Sequence, residues 1–184
     1  MSEALIALHY QNDICHPEGR IPFSLNRGTE AASSFFAASA EALKRARSDG
    51  WTIAHVRIAF ASDYSDLPRN CRLFLAVEER GALKLGSWGA EAFAGFESAK
   101  GEATIIHKSN SAFHKTGLLA RLRRRRVERL TTMGLATQLS VEHTVRDAVD
   151  LGFSVRVLSK CCASADREAH HASLRTLAML ADII

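Results

Sequence analysis

The feature that most constrains the fold is a short segment near the amino terminus that is apolar at nearly every position. Residues 4–9 have the sequence Ala-Leu-Ile-Ala-Leu-His. A strand with one face in water would alternate apolar and polar residues, so this run predicts a strand that is covered on both faces. Strands of that kind occur in parallel sheets that are packed between helices.

Segments typical of strands and of helices alternate along the rest of the chain. Apolar runs predict further strands at residues 52–58, 103–107, 128–133 and 154–158. Apolar residues at helical spacing predict helices at residues 29–47, 116–126, 166–180 and in the segment that follows Gly134. This alternation predicts an α/β fold, in which a doubly wound, mostly parallel sheet lies between two layers of helices. A length of 184 residues predicts a single domain, residues 1–184.

Charge and cysteine content argue against several classes of protein. The formal net charge is +4, and the run 121–126 holds five arginines. This run could bind nucleic acid, but arginine is favoured at helix ends, so a solvated helix end is the preferred interpretation. No apolar run approaches the ~20 residues of a membrane helix and no basic leader is present, which predicts a cytoplasmic protein with neither nucleic acid nor membrane as partner. The four cysteines lack metal-site spacing and fit reduced thiols.

Several chemically active side chains follow the predicted strands. Ligands of open parallel sheets bind at the carboxyl ends of the strands, where His9, Lys108, Ser140 and residues 160–162 (Lys-Cys-Cys) would lie. His9 could take the proton of a nucleophilic Ser140, with Lys108 as electrostatic support. Alternatively, Ser140 or Thr137 caps a helix, His9 bonds a neighbouring carbonyl, and Lys108 is a surface lysine. The cysteines could be reactive thiols or buried inert residues.

One long stretch without strong periodicity, residues 61–101, is interpreted as a functional cover over the site. Together with this cover, Phe23, Phe60, Trp88 and Phe113 are predicted to form the walls of the substrate pocket. Such walls favour a small, partly apolar molecule as substrate.

Four motifs occur in the order found in a known family. They are Gln-Asn-Asp at 11–13, Lys-Ser-Asn-Ser-Ala-Phe at 108–113, Gly-Leu-Ala-Thr at 134–137 and the residues Val-Glu-His-Thr and Asp-Ala within 141–148. Together they resemble the isochorismatase-like, or cysteine hydrolase, superfamily. The resemblance implies a sheet of five or six strands, a homodimer or higher homo-oligomer, and hydrolysis of C–N bonds in small amides or, in one branch, of a vinyl ether.

The chain departs from the family pattern at two catalytic positions. Members that use covalent catalysis resemble this chain but carry an aspartate where His9 stands and a cysteine where Ser140 stands. Lys108 is retained. A serine hydroxyl is not ionised near neutral pH and needs a base, which His9 could supply. The resemblance also implies an oxyanion hole formed by the backbone N–H groups of Ala136 and Ser140, next to a cis peptide between Leu135 and Ala136.

Further differences narrow the chemistry. Relatives usually carry aspartate and alanine where Lys160 and Cys161 stand, so this chain has an additional cation at the rim of the site. Metal-binding relatives carry an aspartate and histidines after the second strand, and residues 55–63 lack that set, so we predict no metal and no other cofactor.

The first hypothesis for the function is a hydrolase of a small amide or ester. The second hypothesis is a catalytically impaired binding or assembly protein. The third is hydrolysis of a vinyl ether, which is less favoured because His9 replaces the acid that this branch of the family uses. Nucleic-acid binding through the arginine run comes last.

Overall fold

A computed structural model describes residues 2–184, which form six strands and six α-helices. The strands are β1 (Glu3–Leu8), β2 (Thr52–Ile58), β3 (Ala103–His107), β4 (Arg129–Leu135), β5 (Ser154–Ala163) and β6 (Asp182–Ile183). The helices are α1 (Asn12–Cys15), α2 (Glu30–Ser48), α3 (Arg72–Glu79), α4 (Leu118–Arg124), α5 (Glu142–Asp150) and α6 (Arg167–Leu177). A π-helical turn, Thr137–Val141, joins β4 to α5. Within residues 2–184, no helix has the length and apolar character needed to cross a bilayer.

All six strands are parallel and lie in the order β3-β2-β1-β4-β5-β6. The chain first builds the sheet outward from β1 to β3 and then returns to place β4 on the other side of β1. The winding therefore reverses between β1 and β4, which is where open sheets of this kind bind ligands. The predicted α/β class and doubly wound sheet are confirmed, and the sheet is parallel throughout.

Helices cover both faces of the sheet, as the continuous apolar sequence of β1 requires. Leu5 packs in a cluster with residues of α2 and the cover, while its neighbour Ile6 packs in a second cluster with α4 and α5. The first residues of the two longest helices are fixed by side-chain caps. Thr29 accepts a hydrogen bond from the Ala32 N–H (3.2 Å), and Asp166 caps α6 in the same way.

Gly134 allows β1 and β4 to approach each other closely. Its φ is +135°, and a β-carbon at this position would overlap the carbonyl oxygen of Leu8. No other residue fits here without displacing the backbone of β1. The glycine that opens the Gly-Leu-Ala-Thr motif is therefore a packing requirement of the sheet.

Two predicted elements differ from the observed ones. β5 continues to Ala163, so Lys160, Cys161 and Cys162 lie inside the strand and the predicted end at Leu158 is wrong. The polar pair Ser159 and Lys160 breaks the apolar run in the sequence, yet hydrogen bonding to β4 resumes beyond a register shift. The segment that contains Ser140 is a π-helical turn and not the first turn of an α-helix.

Candidate active site

A small cavity lies at the carboxyl ends of β1 and β4, where the winding reverses. His9, Ala136 and Ser140 line it together. Most of the remaining lining is apolar and comes from Ile14, Ile21, Phe23, Ile58, Leu73, Phe74, Val77, Leu83 and Leu139, with Ser24 as a second hydroxyl. Its volume of about 30 Å³ corresponds to roughly two water molecules.

Ser140 is presented to this cavity by the π-helical turn. The carbonyl oxygen of Ala136 accepts hydrogen bonds from the N–H groups of Leu139 (3.0 Å) and Val141 (3.4 Å), and the peptide between Leu135 and Ala136 is cis. Within residues 2–184 no protein group is hydrogen-bonded to the Ser140 hydroxyl, which does not cap α5. Single π-helical turns occur frequently at functional sites.

Thr137 does not cap α5 either. Its hydroxyl is 2.8 Å from Nδ1 of His170, and its carbonyl oxygen accepts a hydrogen bond from the Ser173 hydroxyl (3.3 Å). Both partners belong to α6, which is thereby fixed against the turn that carries Ser140. Ser140 is therefore the hydroxyl-bearing residue of this turn that lines the cavity.

His9 follows β1 in a left-handed backbone conformation, with φ of 62°. Its N–H donates to the Val56 carbonyl (2.8 Å), and its ring Nε2 lies 2.6 Å from Nε2 of His107. Burial, with a smaller contribution from the neighbouring His107, lowers the pKa of His9 well below its usual value, and the nearby Leu135 carbonyl opposes this change. The His9 imidazole is therefore neutral at pH 7.

His107 was not singled out from the sequence beyond its place at the end of β3. Burial lowers the pKa of His107 to about 4, although the Ser111 carbonyl, 3.2 Å from Nδ1, favours the protonated form. The rule that selects His9 and Ser140, a polar residue at the carboxyl end of a strand, applies equally to His107 and could have found it. Contact between His9 and His107 joins residues 98 positions apart, which no local pattern indicates.

Lys108 lies outside the cavity. Its ammonium is 2.5 Å from the carboxylate of Asp66, and 44% of its side chain is exposed. Successive residues at the end of a strand point to opposite sides, so His107 points inward and Lys108 outward. The structure thus brings His9, Ala136 and Ser140 together and places Lys108 at the edge of the cover.

Of the four aromatic residues predicted as pocket walls, Phe23 lines the cavity. Phe60 is fully buried in the core beside Phe74, and Trp88 is 52% exposed. Phe113 stacks on Phe153 in the cluster on the opposite face of the sheet. None of these three residues lines the cavity.

Residues of the cover provide the walls instead. Leu73, Phe74 and Val77 of α3 line the cavity with Leu83. They lie in the stretch whose weak periodicity gave no reason to single them out. The predicted cover thus contributes walls to the site through residues other than those named from the sequence.

Gln11 and Asn12 hold the cover against the sheet. The Gln11 amide donates to the carbonyl oxygens of Ile58 and Ala90 (2.9 Å each), and its oxygen accepts from the Ile58 N–H (2.8 Å). Asn12 donates to the Trp88 carbonyl (2.8 Å). These side chains thus connect the carboxyl end of β1 to the far part of the cover.

Asp13 completes this connection. Its buried carboxylate accepts hydrogen bonds from the N–H groups of Leu83 (2.7 Å) and Arg20 (3.2 Å). A β-carbon at Gly89 would overlap that carboxylate, so the cover packs directly on it. The Gln-Asn-Asp motif therefore positions the cover and does not face the cavity with its polar groups.

Three buried thiols surround the region but are poor nucleophiles. Burial raises the pKa of Cys15 and of Cys162 to about 12, and it also raises the pKa of Cys161. The thiolate is the nucleophilic form of cysteine, so these groups are protonated at neutral pH. Across residues 2–184, no group of three or more histidine, cysteine, aspartate or glutamate side chains is arranged to hold a metal ion.

The fold is that of the isochorismatase-like hydrolases, and the chain belongs to the isochorismatase family. The Isochorismatase domain model matches residues 3–184. The chain is 27% identical over 157 residues to the uncharacterized isochorismatase family protein YecD of Escherichia coli O157:H7, which covers 85% of this chain and 80% of that protein.

Two solved structures illustrate the likeness. An isochorismatase family protein from Desulfovibrio vulgaris subsp. vulgaris str. Hildenborough superposes with a TM-score of 0.86 at 28% identity, covering 99% of this chain and 93% of the other. The pyrazinamidase/nicotinamidase from Streptococcus mutans UA159 superposes with a TM-score of 0.84 at 25% identity, covering all of both chains.

Proposed function

We propose that this protein is a hydrolase that cleaves the C–N or ester bond of a small, largely apolar molecule, with Ser140 as the nucleophile. The observation that supports this proposal is that His9, Ala136 and Ser140 line one cavity at the switch point of the sheet. Membership of the isochorismatase family and the likeness to a pyrazinamidase/nicotinamidase, by its name an amide hydrolase, support the reaction type.

The proposed reaction has two halves. In the first, His9 takes the hydroxyl proton of Ser140 while Oγ bonds the substrate carbonyl carbon. The negative charge that develops on the carbonyl oxygen is stabilised by the N–H groups of Ala136 and Ser140. His9 then gives its proton to the departing amine or alcohol. In the second half, water attacks the acyl group, His9 takes its proton and returns it to Ser140, and the acid leaves.

The exchange of two catalytic groups relative to the family pattern is part of the proposal. Serine needs a general base because its hydroxyl is not ionised at neutral pH, and a neutral imidazole can act as that base. A catalytic role for Lys108 is less well supported, because its ammonium is paired with Asp66 and must leave that carboxylate before it can act on a substrate. We assign Lys108 electrostatic support only.

Labelling with a serine-directed fluorophosphonate tests this proposal. We expect one covalent adduct on Ser140 in the wild type, detected by intact-mass and peptide mass spectrometry. Ser140→Ala should form none, and His9→Ala should react roughly 10²-fold more slowly because the general base is lost. Ser24→Ala is the matched control, because Ser24 is the other hydroxyl that lines the cavity, and it should label like the wild type.

A second candidate is a family member that keeps the fold but serves as a binding or assembly protein. It is favoured by the orientation of His9, whose Nε2 faces His107 and not Ser140, and by the small cavity. In that case folded wild type forms no adduct, and a panel of small amides and esters is untouched from pH 6 to pH 9. An equal labelling rate in wild type and Ser140→Ala would also reject Ser140 as nucleophile. The homodimer or larger homo-oligomer that the resemblance implies stays a prediction.

A further inference from the structure

Two buried imidazoles meet end to end beside the cavity. Nε2 of His9 and Nε2 of His107 are 2.6 Å apart, and the ring centroids are separated by 4.9 Å. Two nitrogens at this distance share one hydrogen, so one ring donates and the other accepts. A tetrahedral metal ion bound to both nitrogens at its usual distance would hold them about 3.4 Å apart, so a hydrogen bond is the better account.

The surroundings of His107 decide which ring donates. Its Nδ1 lies 3.2 Å from the Ser111 carbonyl oxygen, which can only accept, so Nδ1 carries the hydrogen. A neutral imidazole has a single N–H, which leaves Nε2 of His107 as an acceptor. The described residues show no hydrogen bond of ordinary geometry between the His9 ring and a carbonyl oxygen, so the Ser111 contact decides the arrangement. Nε2 of His9 is then the donor, and Nδ1 of a neutral His9 is unprotonated.

The Leu135 carbonyl has a place in this scheme. It interacts favourably with the protonated His9 ring, and Leu135 precedes Ala136 in the wall of the cavity. A neutral pair holds two ring hydrogens, one for Ser111 and one between the rings. When a further proton binds Nδ1 of His9, the Leu135 carbonyl is available to accept a hydrogen bond from it. A pair that has taken up one proton thus has three ring hydrogens and three acceptors, namely the Ser111 carbonyl, Nε2 of His107 and the Leu135 carbonyl.

We propose that His107 is a positioning residue that fixes the tautomer of His9, so that Nε2 is the donor to His107 and Nδ1 is the nitrogen that accepts a proton. In the resting protein this is a property of the two rings alone. Its catalytic meaning rests on the proposed function: the proton of Ser140 passes to Nδ1 of His9, the electron pair of Oγ forms the new bond to carbon, and the positive charge is shared by the pair.

Nuclear magnetic resonance of the ring nitrogens tests the tautomer directly. In protein with ¹⁵N-labelled histidine at pH 7, long-range ¹H–¹⁵N spectra should show His9 as the Nε2–H form and His107 as the Nδ1–H form. His107→Leu removes the acceptor, so His9 should shift to a mixture or to the Nδ1–H form. His107→Gln is the matched control because its amide oxygen accepts the same hydrogen bond, and His9 should keep the Nε2–H form.

The rate of fluorophosphonate labelling at Ser140 tests the catalytic part. His107→Leu should react roughly 10²- to 10⁴-fold more slowly, as expected when a catalytic histidine is held in the wrong tautomer. His107→Gln should stay within about tenfold of the wild type. A merely structural role for His107 would not separate these variants once both are shown to be folded.

Different results overturn different statements. A wild-type His9 in the Nδ1–H form, or a His9 spectrum that His107→Leu leaves unchanged, would reject the inference. If the tautomer is found as proposed but wild-type Ser140 does not react, the hydrolase proposal fails and the tautomer assignment stands. If Ser140 reacts equally well in wild type and His107→Leu, the hydrolase proposal stands and the positioning role is rejected.

Discussion

Outside the site, Glu102 joins α2 and β2 to the segment that precedes β3. Its carboxylate accepts two hydrogen bonds from Arg47 of α2 (2.7 and 3.0 Å), one from the Ala99 N–H (2.8 Å) and lies 2.7 Å from His55 of β2. Burial raises the pKa of Glu102, but these partners outweigh it and lower the pKa to about 2. The ionised form is therefore favoured by folding.

This lowered pKa predicts a defined loss of stability in acid. A carboxylate with a pKa near 4.5 when unfolded and about 2 when folded stabilises the protein fully above pH 5, and the contribution disappears as the pH falls through 2. Glu102→Gln should therefore lower the free energy of unfolding by roughly 1–2 kcal/mol at pH 7. Urea unfolding at pH 7, 4 and 2.5 should show the gap from wild type narrowing with each step.

Asp49→Asn is the matched control. Asp49 pairs with Arg45 at 3.7 Å on the same helix surface, and both side chains are largely exposed. An exposed pair of this kind contributes well under about 1 kcal/mol. A gap for Glu102→Gln that is no larger than that of Asp49→Asn, or that does not change with pH, would contradict the assignment.

The residues of the site show how far a single sequence can be interpreted. His9 and Ser140 follow apolar strands, and strand ends of a parallel sheet converge, so their shared cavity could be expected. His107 was missed because its importance comes from a ring 98 positions away. That Lys108 points away from the cavity could not be predicted. Its direction depends on the side of β3 that each residue faces, and the short polar segment after the strand does not indicate that side.

At the scale of elements, the strands with clear boundaries were predicted most accurately. β2 and β3 have the predicted ends: Gly50 and Gly101 precede these strands, and a polar segment follows β3. The π-helical turn could not be predicted, since residues 137–141 have the same apolar spacing as an α-helix. β6 is only two residues long and offers too little pattern to detect.

The contact between β1 and β4 predicts the effect of enlarging Gly134. Gly134→Ala should lower the free energy of unfolding by roughly 2–5 kcal/mol, because the new methyl group meets the Leu8 carbonyl and alanine disfavours a positive φ. Denaturant unfolding of the purified variant measures this loss. Since Gly134 lies just before the π-helical turn, fluorophosphonate labelling should also slow down.

Gly101→Ala separates the two causes. Gly101 has a φ of +92°, but nothing lies near the position of an added methyl group. Its substitution should cost about 1 kcal/mol, the backbone contribution alone. Equal losses for Gly134→Ala and Gly101→Ala would show that the close approach of β1 and β4 has no energetic weight.

At the scale of the whole molecule, the cover determines access to the site. It contributes four residues to the cavity wall and is tied to the sheet through Gln11, Asn12 and Asp13. These attachments come from one motif directly after β1, so the segment that carries His9 also positions the part of the cavity wall that the cover provides. The Asp66–Lys108 pair adds a connection from the cover to the end of β3.

Removing the Asp13 carboxylate should loosen the cover without unfolding the sheet. Asp13→Ala leaves the Leu83 N–H buried without an acceptor, which costs about 1–3 kcal/mol in the closed state. Amide hydrogen exchange at Leu83 and its neighbours should accelerate roughly ten- to a hundredfold. Exchange in β1 and β4 should change far less.

Asp63→Ala serves as the comparison for this variant. Asp63 is an exposed carboxylate on the cover that accepts a hydrogen bond from the Ser65 N–H (3.0 Å). Exchange at Leu83 should be the same as in the wild type. Unchanged exchange at Leu83 in Asp13→Ala, or equal acceleration in β1, would show that Asp13 does not hold the cover as a separate unit.

The small volume beside Ser140 has a kinetic consequence. Because it has room for only about two water molecules, a larger guest can be held only if the walls part to admit it and then come together again. The guest departs no faster than the walls part, whatever the strength of its own contacts. Dwell time and affinity would then be uncoupled, and even a weakly held compound would exchange slowly with solvent.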